Sequence, residues 1–193
     1  MIMLTNERIR KIFRESEALM NGHFLLTSGR HSDRYMQCAR IFQYPWLAEE
    51  LFRDLADKMS VPKVDVVIGP AIGGILPAYE MGRQLRAKSI FTERENGAMT
   101  LRRGFVLPAG ARALITEDVV TTGGSVMEVM DLIKKHGAFV AGIGALVDRS
   151  NGKVDFGVPF ASVVSLGIKS WPPEKCPMCR NHSPLVQPGS RKP

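Results

Sequence analysis

The order of apolar and polar residues divides the chain into two unlike parts. In residues 5–21, Ile9, Ile12, Phe13, Leu19 and Met20 recur at helical spacing and Gly22 follows, which predicts an amphipathic helix closed by a glycine. Residues 23–28 and 34–40 read as two short strands joined by the turn-rich SGRHSD. Pro45 suits a helix start, and Trp46, Leu47, Leu51, Phe52 and Leu55 mark the buried face of that helix. Beyond residue 61 the pattern changes. VDVVIG (64–69), SIFTER (89–94), ARALITED (111–118), FVAGIGALVDR (139–149) and FASVVSLGI (160–168) read as strands, several apolar on both faces. GGILPAYEMGRQLR (73–86) and SVMEVMDLIKKHG (125–137) read as helices between them. Strands of this kind alternating with helices imply an α/β fold, a parallel sheet flanked by helices on both sides.

Length adds that one domain accounts for the whole chain, 1–193, since 193 residues can bury a sizeable core. Within it we delimit an N-terminal part (1–44), a core (61–168) and a proline-rich tail with a CxxC (169–193). No apolar run approaches the ~20 residues of a membrane span, and MIMLTNERIRKIF places charges where a signal peptide needs an apolar stretch. A cytoplasmic protein without membrane contact is expected. The net charge of +7 includes five basic residues against one acid in 168–193 and a short focus at Arg94, Arg102 and Arg103. No long Lys/Arg block or aromatic-interleaved strip is present, so small polyanions fit better than nucleic acid. Three cysteines, Cys38, Cys176 and Cys179, do not make a secreted disulfide framework.

The strongest chemical signal is ALITEDVVTTGGSV, residues 113–126. An apolar strand delivers Glu117 and Asp118 to its C-terminal end, where ligands of open α/β sheets bind. Val119 and Val120 follow, then Thr121, Thr122, Gly123, Gly124 and Ser125 open the next helix. Glycines let successive N–H groups turn inward, the helix start adds partial positive charge, and hydroxyls add donors; together these suit a phosphate. Acids for sugar hydroxyls beside donors for a phosphate describe a ribose 5-phosphate site. The simpler alternative is a β-turn-α link in which Thr122 or Ser125 caps the helix. Neither GxGxxG nor a GK[ST] ending is present.

This stretch resembles the phosphoribosyl-diphosphate motif of the type I phosphoribosyltransferases. The resemblance implies their fold, with Glu117 and Asp118 on the ribose hydroxyls, Thr121 to Ser125 around the 5-phosphate, Val119 and Val120 within the same phosphoribosyl-diphosphate-binding stretch, and Mg²⁺ carried with the pyrophosphate. GHFLLTSGRHSDRY (22–35) resembles the N-terminal segment of the orotate phosphoribosyltransferases through Phe24, Leu26, Ser28, Gly29 and Ser32, and implies a small N-terminal hood over the base. ERENGAMTLRRGF (93–105) is similar to that family's mobile loop, and GPAIGG (69–74) to its pyrophosphate loop. The substrates implied are orotate and phosphoribosyl diphosphate, with Arg149 and Thr121 at the orotate. A guanidinium at a strand end matches a carboxylate in a bidentate way. Family members carry loop lysines; this chain has no Lys from 89 to 133, so Arg94, Arg102 and Arg103 are the candidate catalytic cations. A homodimer with shared active sites is implied as well.

Two features stay open at this level. His31 and Tyr35, in the turn and on the second hood strand, are either ligand contacts or ordinary surface and packing residues. CPMCRNH supplies Cys176, Cys179 and His182, half of a zinc knuckle. Cys38, His136 or a partner chain could complete it; a CxxC disulfide or plain thiols are the alternatives, and no metal ligand is assigned. A purine or uracil transferase would need a different hood. A nucleic-acid-binding regulator would usually need a separate DNA-binding segment, and residues 1–21 offer one helix only.

Overall fold

The computed structural model describes residues 3–26, 28–61 and 63–188. The ends of the tail reading (189–193), residues 1–2, Thr27 and Pro62 lie outside them. Helix α1 (Asn6–Glu15) precedes a hairpin of β1 (Leu19–Leu25) and β2 (His31–Met36). A 3-10 turn (Cys38–Gln43) leads to α2 (Pro45–Met59). The core follows as β3 (Val66–Pro70), α3 (Ile75–Leu85), β4 (Lys88–Glu95), β5 (Ala98–Leu101), β6 (Arg112–Val120), α4 (Gly124–Lys135), β7 (Phe139–Asp148) and β8 (Phe160–Ser165). The tail adds β9 (Ser170–Trp171) and a short helix α5 (Pro177–Arg180).

The six-stranded sheet has the order β5-β4-β3-β6-β7-β8, parallel except for β5. One face packs on α1, α2 and α3 through Ile12, Leu51, Phe52, Leu55 and Met81. The other packs on α4 through Val126, Val129 and Ile133 against Ile68, Ile115 and Ile143. Burial on both faces is why the strands are nearly continuous in apolar residues. A separate antiparallel sheet, β1-β2-β9, stands over the C-terminal edge of the large one and forms the hood.

Several boundaries differ from the sequence reading. The first helix stops at Glu15, because the Ser16 hydroxyl donates back to Ile12 O at 2.8 Å and Glu17 turns left-handed at φ 50°. Leu19 and Met20 therefore belong to β1 rather than to the helix. Trp46 is 65% exposed, since it sits in the first turn of α2 on the face away from the core. The segment read as a loop, 93–104, is largely a hairpin: Asn96 and Gly97 both have positive φ (49° and 84°), the geometry of a tight two-residue turn between β4 and β5.

Candidate active site

Three segments converge at the C-terminal edge of the sheet. β6 continues to Val120, so the acid pair lies within the strand rather than at its end, and Arg149 N–H donates to Val120 O at 2.7 Å just past β7. Successive strand residues face opposite ways. Glu117, buried, lines a cavity of about 220 Å³ shared with Val119, Val120 and residues 121–126. Asp118, half-buried, faces a second cavity of about 500 Å³ beneath the hood. The Glu117 carboxylate accepts the Asp118 N–H at 3.1 Å, and the Asp118 carboxylate accepts the Val119 N–H at 2.7 Å. These bonds fix both carboxylates against the backbone.

The smaller cavity has a construction that suits an anion such as phosphate. Gly123 caps α4 at φ 77°, and a Cβ there would lie 2.8 Å from the Phe156 ring. Backbone conformation and space both require glycine. No side chain caps α4 and its first turn holds no acid. Its leading N–H groups and the positive end of its dipole are thus left to the cavity. Neither Thr122 nor Ser125 acts as the cap, which removes the simpler account of this turn.

The larger cavity joins the first through Val119, Thr121 and Thr122. Its walls are Leu25, Leu26 and Ser28 of the hood, Tyr35 to Cys38 behind, Gln187 from the tail, and Arg149. Burial lowers the pKa of the Arg149 guanidinium, while Cys38 and Tyr35 act in the opposite sense. Burial likewise raises the Tyr35 phenol and, more strongly, the Cys38 thiol, so both stay protonated at neutral pH. Tyr35 is thus a wall of the cavity, packed against Phe24 with ring centres 5.7 Å apart. The loop 69–74 closes the site from the β3 side. A Cβ at Gly73 would fall 2.7 Å from Asp118 Oδ1, so only glycine lets this loop come so near the acid.

The three candidate arginines line neither cavity. Arg94 bonds Gly97 O and Glu128 of α4, Arg103 grips Glu93 through two bonds at 2.8 Å, and Arg102 lies 3.5 Å from Glu95. Arg94 lies in β4, and Arg102 and Arg103 directly follow β5. Gln37, Cys38 and Gln187 are cavity residues that no motif marked; only the fold brings the tail beside the hood. The CxxC also has unforeseen neighbours. Cys38 belongs to the cavity wall, His136 caps α4 with Nδ1 2.9 Å from Leu132 O, and His182 stands apart. Cys176 and Cys179 instead face His23 and His31, both buried, so His31 is neither surface nor cavity lining.

Known proteins resemble this chain in sequence and fold. Residues 46–172 match the phosphoribosyl transferase domain family. An orotate phosphoribosyltransferase of Caldanaerobacter subterraneus is 54% identical over 98% of this chain and 100% of its own length. That of Heliobacterium modesticaldum is 56% identical over 97% and 100%. The chain belongs to the orotate phosphoribosyltransferase family. Among solved structures, the family member from Aeropyrum pernix superposes with a TM-score of 0.70 at 25% identity, over 82% of this chain and 93% of that one. An adenine phosphoribosyltransferase from Rhodothermus marinus, 15% identical, shares the fold with a TM-score of 0.66 over 84% and 100%. The shared fold extends to enzymes of other bases, so the acceptor must be read from the hood and the site.

Proposed function

We propose that this protein transfers the 5-phosphoribosyl group of phosphoribosyl diphosphate to orotate, forming orotidine 5′-monophosphate and diphosphate for pyrimidine biosynthesis. The observation that carries the reading is Arg149, a half-buried guanidinium opening into the cavity that also holds Asp118 and adjoins the cradle. An incoming carboxylate supplies the counter-charge that burial makes valuable. Residues 121–125 hold the 5-phosphate; Glu117 and Asp118 accept from the ribose hydroxyls. A ring nitrogen of orotate bonds to the anomeric carbon as the carbon–oxygen bond to pyrophosphate breaks; the leaving diphosphate keeps the electron pair, and the proton of the ring nitrogen passes to it or to solvent. The protein's work is positioning and charge stabilisation.

The oxygen-only donor set at the edge, two carboxylates and three hydroxyls, suits a hard cation such as Mg²⁺ held mainly by the diphosphate. Bound with it, Mg²⁺ offsets leaving-group charge. Arg94, Arg102 and Arg103 serve the leaving diphosphate once the hairpin exchanges their present carboxylate partners. The working form is a cytoplasmic homodimer with shared sites. Among the described residues no helix is long and apolar enough to cross a membrane. The test is to follow orotate absorbance with Mg²⁺ and phosphoribosyl diphosphate, with uracil, hypoxanthine and adenine as parallel acceptors. Consumption of orotate alone, with the nucleotide identified by mass, is expected; turnover of another base instead would refute the assignment.

A further inference from the structure

We propose that His23, His31, Cys176 and Cys179 form a structural zinc site that fastens the C-terminal segment to the hood. Each offers one ligand atom, and the four atoms lie within 4.8 Å of one another. His23 Nε2 is 2.8 Å from His31 Nδ1, 3.5 Å from Cys176 Sγ and 3.6 Å from Cys179 Sγ; Cys179 Sγ is 3.2 Å from His31 Nδ1. A regular tetrahedron with zinc–nitrogen bonds near 2.1 Å and zinc–sulfur bonds near 2.3 Å has edges of about 3.4 Å between nitrogens and about 3.6 Å between nitrogen and sulfur. The three nitrogen–sulfur distances fall within about 0.4 Å of that frame, the two nitrogens must part by about 0.6 Å, and any pair as wide as the 4.8 Å bound must close by about 1 Å as the metal enters. Two thiolates and two imidazoles in tetrahedral array are the donor set of zinc.

The surroundings support a metal over a chance meeting of side chains. Cys176, His23 and His31 are 0%, 4% and 5% exposed. Thiols are weak donors and acceptors, so two of them satisfy a pair of buried imidazoles poorly. His23 Nδ1 lies 2.9 Å from Ser183 O. A carbonyl only accepts, so Nδ1 carries the proton and the Nε2 lone pair faces the cluster, the arrangement that orients a metal-bound histidine. Cys176 precedes α5 and Cys179 falls within it, so one turn brings both sulfurs to the same side. Binding deprotonates both thiols and releases two protons to solvent, with no change of oxidation state.

The position gives the site its purpose. His23 lies in β1 and His31 begins β2, on either side of the hood turn. β9 pairs with β2 ahead of the CxxC; after it, Leu25 N–H donates to Val186 O at 2.9 Å and Val186 N–H to His23 O at 2.8 Å. The next residue, Gln187, enters the larger cavity. Zinc would therefore hold a wall of that cavity in place while lying outside both cavities.

The test uses the full chain without a histidine tag. Elemental analysis should find about one zinc per chain. Removing it with a chelator and adding Co²⁺ should give the visible d–d bands and sulfur-to-cobalt charge transfer of a tetrahedral S₂N₂ site. Cys179→Ser and His31→Ala should each cut bound zinc at least tenfold, and His182→Ala should not. Protein that holds no zinc and gives no cobalt spectrum, or a Cys176–Cys179 disulfide found by mass in protein purified under reducing conditions, would overturn the proposal. The cobalt measurement needs no variant, so poor folding of a mutant does not blur it, and none of these readouts depends on which base is used.

Discussion

Arg149 bears a charge that burial disfavours, and the groups that offset this are a thiol and a phenol, both protonated at neutral pH, rather than a carboxylate. Such a group gains most from an anionic ligand. Arg149→Ala should raise KM for orotate about 10–100-fold, the cost of a charge-assisted hydrogen-bond pair, and leave KM for phosphoribosyl diphosphate nearly unchanged. Steady-state kinetics with each substrate varied would show this; equal losses on both would place Arg149 elsewhere in the mechanism. Gly73 gives a second test, through space rather than charge. Gly73→Ala would put a methyl 2.7 Å from Asp118 Oδ1 and displace the carboxylate. A shift near 1 Å at a reacting group can cost about 10²-fold, so kcat/KM should fall on that scale with an unchanged circular dichroism spectrum. The convergence of the acid pair, the glycine-rich turn and Arg149 on one sheet edge is legible in the sequence, because an apolar strand running into a small-residue turn is a local pattern, although β6 carries the acids inside the strand rather than at its end. His23, Gln187 and the surroundings of Cys38 are not, since they are joined to the site only through contacts between segments far apart in the chain.

Among elements, the β4–β5 hairpin and the α1–α2 contact show what periodicity resolves and what it misses. The parallel strands were legible because burial on both faces leaves continuous apolar runs. Asn96-Gly97 is the turn pair of a hairpin, which the resemblance of 93–105 to the family's mobile loop does not convey. Around that hairpin Arg103 is held by two bonds to Glu93 and Arg94 by Glu128, whereas Arg102 has only a 3.5 Å contact with Glu95. Arg102 is therefore the arginine most easily released to a ligand. Arg102→Ala should lower kcat about tenfold or more, on the scale of one lost charge-stabilising contact, while phosphoribosyl-diphosphate binding holds; unchanged turnover would remove it from catalysis. On the other side of the molecule, Arg8 docks α1 on α2 through bonds of 2.7 and 2.6 Å to Glu50. Both side chains are about one-third exposed, at 33% and 30%, so the pair contributes about 1 kcal/mol or less. The bond to Arg8 holds the Glu50 carboxyl below its ordinary value of 4.5. A depressed carboxyl stabilises fully above that value and loses the contribution as pH falls through its folded value. Glu50→Gln should therefore lower the unfolding midpoint at pH 7, and the difference should shrink in acid.

At the scale of the whole molecule, the exposed apolar surface is unevenly placed. Ile72 is 86% exposed, Leu76 48%, Tyr79 63% and Trp46 65%. Leu76 and Tyr79 stand three residues apart on α3, a spacing that puts them on one face, and Ile72 lies in the turn just before it. Trp46 stands at the start of α2, and the two helices are tied by the Arg83–Glu49 ion pair at 3.2 Å. Single exposed apolar residues are ordinary, but a group of large ones beside a ligand loop marks an interaction surface. Ile72 itself lies in the loop 69–74 that approaches Asp118, so a second copy bound here would sit at the rim of the active site. The shared-site homodimer proposed above would need its contact at this rim. A stable dimer needs about 800 Å² from each partner, and α2 with α3 offers the apolar centre of such a patch. On that proposal the wild type sediments as a dimer at micromolar concentration, and Tyr79→Asp, which places a charge at that centre, should shift it to monomer. Turnover should fall with it. A variant that remains dimeric would move the interface to another face, and a wild-type protein that sediments as a monomer would remove the shared site from the mechanism altogether.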